Sequence, residues 1–172
     1  MATKESSKQN TAAAKPKEKK EKVVISTNRK AHHDYSLEDS FEAGLVLMGS
    51  EIKSIRDHKV NLADGFVQET DGELWLLNVH ISPYNQANRY NHEPLRPRKL
   101  LLNKKEIARL ITRVRERGYS IIPTQLYLKN GRAKVEIALA RGKKQYDKRD
   151  DIQERESKRQ IERVLKQGRY ED

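Results

Sequence analysis

Residues Gln125–Ala140, QLYLKNGRAKVEIALA, decide the fold of this chain. An Asn-Gly pair suits a two-residue type I′ turn, because both central residues need a positive φ. On either side of Asn130-Gly131, apolar residues alternate with other residues, as is typical of strands with one buried face. The segment therefore predicts a β-hairpin, whose alternating apolar residues are Leu126, Leu128, Ala133, Val135, Ile137 and Leu139.

One helix is predicted upstream of this hairpin, in LLNKKEIARLITRVRERG (101–118). Asn103 is the expected N-cap, with Glu106 three positions later, and Gly118 is the expected stop. The apolar stripe consists of Ile107, Leu110, Ile111 and Val114. Off this stripe lie four arginines, which form either a phosphate-facing surface or a solvated face, the ordinary arrangement for a surface helix: Arg109, Arg113, Arg115 and Arg117.

The segment before this helix reads as further short strands. FVQETDGELWLLNV (66–79) places Asp71-Gly72 between two β-prone runs and predicts a second hairpin. Phe41 to Arg56 suggests an extended but bent path, and Asn61 to Phe66 a short helix. Several short antiparallel strands with helical interruptions indicate a mainly β fold that is compatible with a small closed barrel, of which the oligonucleotide-binding (OB) fold is one example.

The two ends differ in composition from the middle. Residues 1–30 contain nine Lys/Arg and three Asp/Glu, with almost no large apolar side chains before Val23. Residues 143–172 hold ten Lys/Arg and eight Asp/Glu, again with few apolar side chains. Neither end can bury enough surface to offset the entropy lost on ordering. The sequence therefore predicts a disordered basic arm (1–30), a barrel (31–142) and a basic tail (143–172).

Composition limits the classes of partner and location. The formal net charge is +11 and the pI is about 9.8, which favours polyanionic partners such as nucleic acid. No apolar run approaches the roughly 18 residues of a membrane span, and no signal-peptide stretch opens the chain, so we expect an unexported, cytoplasmic protein without a membrane partner. The absence of cysteine excludes disulfides and thiolate zinc sites.

No group of residues predicts catalysis, a cofactor or a metal site. His32, His33 and Asp34 are the one crowded set of possible metal ligands, but adjacent side chains of an extended segment would point to opposite faces. Phosphate-binding loops, nucleophile elbows and paired carboxylates in a recognisable context are absent from the sequence. We therefore expect a protein that is not an enzyme and needs no cofactor.

A basic segment follows the last predicted strand, in ALARGKKQYDKRDD (138–151). Its cations suit phosphates and its single aromatic, Tyr146, suits stacking on a base, whereas a solvated basic tail would explain the charge equally well. Further along, Ile161, Val164 and Leu165 fall at helical spacing, as expected for a segment that folds against a partner.

Five motifs together resemble one known family. They are NRKAHHDY (28–35), FEAGLVLMGSEIKSIR (41–56), LADGFV (62–67), RKLLLNKKE (98–106) and ARGKKQYDKRDDIQERE (140–156). In this order and spacing they resemble the SsrA-binding proteins, also called small protein B, from about Asn28 to beyond Lys158. The resemblance implies an OB-fold barrel with flanking helices. It also implies a non-enzymatic partner of transfer-messenger RNA, which delivers that RNA with elongation factor Tu to stalled ribosomes for trans-translation.

The resemblance also implies two sets of contact residues. The tRNA-like domain of the RNA would meet Glu42, Leu101, Asn103 and Lys134. The tail would occupy the empty mRNA channel and the decoding region of the small subunit, with a helix from about Ile152. Its ribosome contacts would be Arg141, Lys143, Lys144, Tyr146, Asp147, Lys148 and Arg149.

Each barrel residue has a structural alternative, and the chain departs from the family pattern in places. Leu101 could be a core residue, Asn103 could serve as a helix cap alone, and Glu42 repels phosphate unless it accepts hydrogen bonds. The long basic arm exceeds what the family needs, His32 stands where Arg is common, and Ser157 stands where some members carry a large aromatic. A ribosomal component or an RNA-acting enzyme are the alternative functions.

Overall fold

The computed structural model of the chain describes residues 22–87, 91–116, 118–144, 156–157, 159–161 and 163. Within these ranges the strands are β1 (Lys22–Thr27), β2 (Tyr35–Leu45), β3 (Val60–Asn61), β4 (Phe66–Thr70), β5 (Glu73–Leu77), β6 (His80–Ile81), β7 (Arg98–Leu101), β8 (Tyr119–Lys129) and β9 (Arg132–Gly142). The helices are α1 (Arg29–Asp34), α2 (Gly49–Arg56) and α3 (Lys104–Arg115), with a 3-10 turn at Asn85–Ala87. The described residues of the tail between 156 and 163 are also helical.

Six antiparallel strands form a closed ring. The order is β8-β4-β5-β7-β2-β9, and β9 pairs again with β8 along its whole length. β1 adds to the end of β8 that β4 leaves uncovered, whereas β3 and β6 form a separate two-stranded sheet. The predicted mainly β architecture, a small closed barrel with flanking helices, is confirmed. Within the described ranges, no helix combines the length and apolar character of a membrane span.

Both predicted hairpins are confirmed. Asp71 and Gly72 have φ values of 54° and 74°, and Asn130 and Gly131 have 51° and 72°, as a type I′ turn requires. The second hairpin joins the two longest strands, and its pairing begins directly at the turn, between Lys129 and Arg132. The hairpin of β8 and β9 therefore forms one wall of the barrel.

Helix α3 is confirmed with its predicted start. The Glu106 carboxylate accepts a hydrogen bond from the Asn103 backbone N–H at 3.0 Å, which satisfies one of the free donors at the helix start. Leu110 is fully buried, and Ile107 and Ile111 pack against the same core. The helix therefore closes one side of the barrel through the apolar stripe that its sequence shows.

Four local predictions are wrong. β1 occupies residues 22–27 and α1 begins at Arg29, so the predicted arm cannot extend to residue 30; residues 1–21 lie outside the described residues. The sequence hides β1 because β8 supplies its backbone partners, although β1 exposes most of its side chains. α1 also means that the two histidines before Asp34 lie on a helix rather than in an extended segment.

The third and fourth errors concern Phe41 to Arg56 and Asn61 to Phe66. β2 ends at Leu45 and residues 49–56 are helical, because the Glu51 carboxylate caps the Met48 N–H at 2.7 Å and Ile55 turns into the core. Conversely, Asn61 to Phe66 is not a helix but a turn between β3 and β4, closed by the Gly65 N–H on the Leu62 carbonyl.

Asn28 ties the end of β1 to an irregularity in β8. The pairing of β8 with β9 shifts between Pro123 and Gln125, which leaves Thr124 without a register partner next to the Pro123 carbonyl. The buried Asn28 amide donates to this carbonyl and to the Leu62 carbonyl, each at 3.0 Å, while its oxygen accepts from the Ala31 N–H at 2.9 Å. One buried side chain thereby satisfies three backbone groups from three parts of the chain.

A buried ion pair fixes the start of β7. Glu51 and Arg98 are both fully buried, with the Arg98 Nε 2.8 Å from Glu51 Oε1. The Arg98 guanidinium also donates to the Val79 and Pro94 carbonyls at 2.6 and 2.9 Å, and Arg96 holds both oxygens of Glu51. Burial raises the pKa of Glu51, but the hydrogen bonds from Arg96, from a backbone N–H and from Arg98 outweigh it and hold the pKa below its ordinary value.

Candidate nucleic-acid interface

The outer surface of β2, β7, β8 and β9 brings together three of the four predicted RNA-contact residues. Gly44 pairs with Leu101 on one side and with Lys134 on the other, and Lys134 pairs with Tyr127. Glu42 lies one outward position along β2 from Gly44. The intervening strand positions face the interior and are buried: Ala43, Leu100, Leu126 and Val135.

Glu42 is the electrostatic centre of this outer surface. Its Oε2 accepts hydrogen bonds from the Tyr127 hydroxyl at 2.5 Å and from Lys129 Nζ at 2.7 Å. Lys134 Nζ lies 3.6 Å from the other carboxylate oxygen. One carboxylate thus draws two lysines from neighbouring strands to the same place, beside an open cleft lined by Glu42, Lys129, Asn130, Arg132 and Lys134.

The same contacts fix the charge of Glu42. Hydrogen bonds from Lys129 and Tyr127 stabilise the carboxylate and lower the pKa of Glu42 to about 2. Burial, followed by the bond to Glu42, raises the pKa of Tyr127, so its hydroxyl stays protonated and can donate. Glu42 is therefore ionised at any physiological pH and acts as an acceptor that also orients two cations.

This arrangement predicts a pH-dependent role of Glu42 in stability. Because the pKa of about 2 lies below the ordinary value of 4.5, the stabilisation is complete above about pH 4.5 and is lost as the pH falls towards 2. Glu42→Gln should therefore melt below the wild type at pH 7, and the gap between the two should narrow from pH 5 to pH 3 in thermal melts followed by circular dichroism.

A matched variant tests whether the contacts of Glu42 cause this effect. Glu136→Gln removes a carboxylate from the same surface, one that lies 3.8 Å from Lys22 Nζ. It should lower the melting temperature at pH 7 by less than Glu42→Gln does. A gap for Glu42→Gln that stays constant from pH 7 to pH 3 would contradict the assignment.

Leu101 is a surface residue and not a core residue. About half of its side chain is exposed, whereas its neighbour Leu100 is buried. Gly44 lies directly beneath it, and a Cβ atom at that position would come within 3.2 Å of Leu101 Cβ. The glycine therefore leaves room for Leu101 to lie on the barrel surface, where an apolar side chain is available to a partner.

Asn103 occupies the N-cap position of α3, as its sequence predicted. It lies two residues beyond Leu101, at the end of β7, with extended backbone angles of −69° and 145°. α3 begins at the next residue, so the side chain of Asn103 lies at the rim of the outer surface. The cap position does not exclude an RNA contact by the side-chain amide, because the hydrogen bond to Glu106 comes from the Asn103 backbone N–H.

Sequence reasoning missed four residues of this surface: Lys22, Tyr127, Lys129 and Arg132. The signal was present in the hairpin, because Tyr127 and Lys129 are the outward positions that alternate with Leu126 and Leu128. The hairpin prediction used only the apolar positions, so these two outward residues were missed. Lys22 could not be found this way, because it was assigned to the predicted arm.

The predicted tail residues fall into two groups. Arg141 belongs to β9, where it is exposed and pairs with Tyr119 and Ser36. Lys143 follows the strand and is held against α1 by its N–H on the Asp34 carbonyl at 3.0 Å and by its Nζ on the His32 carbonyl at 3.2 Å. Lys144 is the next residue and the last one of the described range 118–144. The other four lie outside the described residues: Tyr146, Asp147, Lys148 and Arg149.

Two arginines of α3 are engaged in ion pairs within the protein. Arg109 lies 2.5 Å from Asp39, and Arg113 lies 2.9 Å from Glu38 and 3.0 Å from Glu116. These contacts favour the solvated face over a phosphate-facing surface. Among the described residues, no three His, Cys, Asp or Glu side chains come close enough together to hold a metal ion.

Comparison with known proteins identifies the family. The family model described as SmpB protein matches residues 25–167. The SsrA-binding protein of Geobacillus kaustophilus is 57% identical over 149 residues, which are 87% of this chain and 96% of the relative. The SsrA-binding protein of Symbiobacterium thermophilum is 58% identical over 149 residues, covering 86% of this chain and 94% of the relative.

A solved structure shows the same fold. It is described as "tmRNA-SmpB: a journey to the center of the bacterial ribosome" and is 44% identical to this chain, with a TM-score of 0.60 over 69% of this chain and 84% of the other. The family model and the relatives both span most of this sequence. This chain therefore belongs to the SmpB family of SsrA-binding proteins.

Proposed function

We propose that this protein binds the tRNA-like domain of transfer-messenger RNA through the outer surface of β2, β7, β8 and β9. The observation that carries the proposal is the joint placement of Glu42, Leu101 and Lys134 on one surface of a family barrel. The names of the relatives, which are SsrA-binding proteins, and of the solved structure, a complex of transfer-messenger RNA with SmpB, support it.

The geometry suggests a division of roles among these side chains. Lys129 and Lys134 meet phosphates, which supply most of the affinity of proteins for nucleic acid. Glu42 accepts from a ribose 2′-hydroxyl or a base amino group, and it keeps the two lysines adjacent. Leu101 offers an apolar contact at the centre, and Asn103 an amide at the rim.

The role on the ribosome follows from the same proposal. The bound RNA is delivered to stalled ribosomes for trans-translation, with elongation factor Tu as the expected partner in delivery. The C-terminal tail occupies the empty mRNA channel and the decoding region, where ribosomal RNA is polyanionic. This function is non-enzymatic, needs no cofactor and would place the protein in the cytoplasm.

A competition experiment tests the RNA assignment. The purified full-length protein is bound to a labelled tRNA-like domain at physiological salt, with ordinary tRNA and an unrelated hairpin of equal length as competitors. We expect the unlabelled tRNA-like domain to compete best. Equal competition by all three RNAs would reduce the protein to a general RNA-binding barrel, such as a ribosomal component, and overturn the proposal.

Variants in the same assay test the surface. Lys134→Ala removes one of the two cations held by Glu42 and should weaken binding to the tRNA-like domain. Arg115→Gln provides the control, because Arg115 is an exposed cation of α3 that lies beside Gln68 and Glu69 of β4, away from this surface. It should bind as the wild type does.

A further inference from the structure

A row of three cations crosses the barrel at the tip of the β8–β9 hairpin. Lys22 of β1 is the register partner of Lys129 in β8, and Lys129 is the register partner of Arg132 in β9. Adjacent strands lie about 4.8 Å apart, so the three backbones span roughly 10 Å. Directly opposed residues project to the same face of a sheet, and this face also carries Glu42 and Lys134.

This row is unfavourable for the fold alone. Like charges directly opposite each other on neighbouring strands destabilise a sheet. The nearby carboxylates are Glu42, which binds Lys129 at 2.7 Å, and Glu136, which lies 3.8 Å from Lys22. In the described part of the chain, Arg132 is exposed and makes no ion pair. Four cations, the row and Lys134, therefore share two carboxylates and leave an excess of positive charge.

Packing does not require the charged ends of these side chains. Lys22 and Arg132 are exposed, and the Lys22 ammonium lies over the Tyr127 ring, 4.1 Å from its centroid. This contact holds the ammonium on the outer surface rather than over the edge of the sheet. A row of cations that costs stability is the pattern of a surface kept for an anionic partner.

We propose that Lys22, Lys129 and Arg132 form a phosphate-binding row that extends the RNA interface beyond Glu42 and Lys134 to the hairpin tip. This inference rests on the proposed function, because it takes the RNA bound by the barrel as the ligand. The partner chemistry is a run of backbone phosphates. Contacts to backbone phosphates carry no sequence information, so the row adds affinity rather than sequence preference.

The test is the salt dependence of binding to the isolated tRNA-like domain. Each phosphate contact contributes about −0.7 to −0.9 to the slope of log affinity against log salt. Lys22→Gln and Arg132→Gln should each make the slope shallower by about this amount, and the double variant by about twice as much.

Controls separate the row from general charge and from folding. Arg115→Gln makes the same substitution elsewhere and should leave the slope unchanged. Arg132→Gln should melt no lower than the wild type, because it relieves repulsion. An unchanged slope for the double variant would overturn the row. If the wild-type protein showed no preference for the tRNA-like domain over ordinary tRNA and the unrelated hairpin, the proposed function would be overturned instead.

Discussion

Glu51→Gln should lower the free energy of unfolding by about 3 to 5 kcal/mol, the cost of leaving a buried charge without its partner. Glu51 and Arg98 are both fully buried, and the other partners of Arg98 among the described residues are backbone carbonyls. The neutral amide would also point a donor at Arg96 or at the Met48 N–H, which now donate to the carboxylate. Urea denaturation at pH 7 measures the change.

A double variant distinguishes the ion pair from simple loss of packing. Replacing a buried pair with apolar residues of similar volume is often neutral or stabilising, so Glu51→Leu with Arg98→Met should lose much less than Glu51→Gln does. A loss below about 1 kcal/mol for Glu51→Gln would show that Glu51 is not needed as an anion. Because Arg98 starts β7, a loosened pair should also weaken RNA binding through Leu101.

Charge reversal in the tail should separate RNA binding from ribosome rescue. Lys148→Glu with Arg149→Glu changes the tail charge by four units and should repel the ribosomal RNA of the mRNA channel. Binding to the isolated tRNA-like domain should persist, because the proposed contacts lie on the barrel. Tagging of nascent chains should be abolished in a reconstituted translation system that is stalled on a message without a stop codon.

The matching control reverses two cations of the barrel region. Lys53→Glu with Lys59→Glu makes the same change in net charge at residues of α2 and of the turn that follows it. Nascent chains should be tagged almost normally with this variant if the position of the charges, and not the total charge, determines tagging. Normal tagging by the tail variant would refute the proposed role of these two residues.

The parts of the fold that could be predicted are those whose signal is local. Asn130-Gly131 and Asp71-Gly72 specify their turns through the φ values that the residues tolerate, and α3 carries its own cap. β1 and α2 depend on distant partners instead. β1 needs the free side of β8, and Glu51 is buried by arginines 45 and 47 residues further along the chain.

The site was predictable only in part, and for the same reason. Resemblance to a family indicated Glu42, Leu101 and Lys134, but the register of four strands is what places them together. Tyr127 and Lys129 acquire a role only because Glu42 lies opposite them. Contacts between side chains of different strands form only when the barrel closes, so no single segment of the sequence predicts them.

β9 also sets a distance between the two working ends of the molecule. Lys134 lies near its beginning, at the outer surface, and Gly142 ends it, paired with Tyr35 where the tail leaves the barrel. Eight residues of antiparallel strand span about 27 Å. The backbone hydrogen bonds of β9 to β2 and β8 prevent this length from changing, so β9 fixes the distance between its two ends. An RNA held at one end and a tail that starts at the other are kept at a constant separation, whatever path the tail then takes.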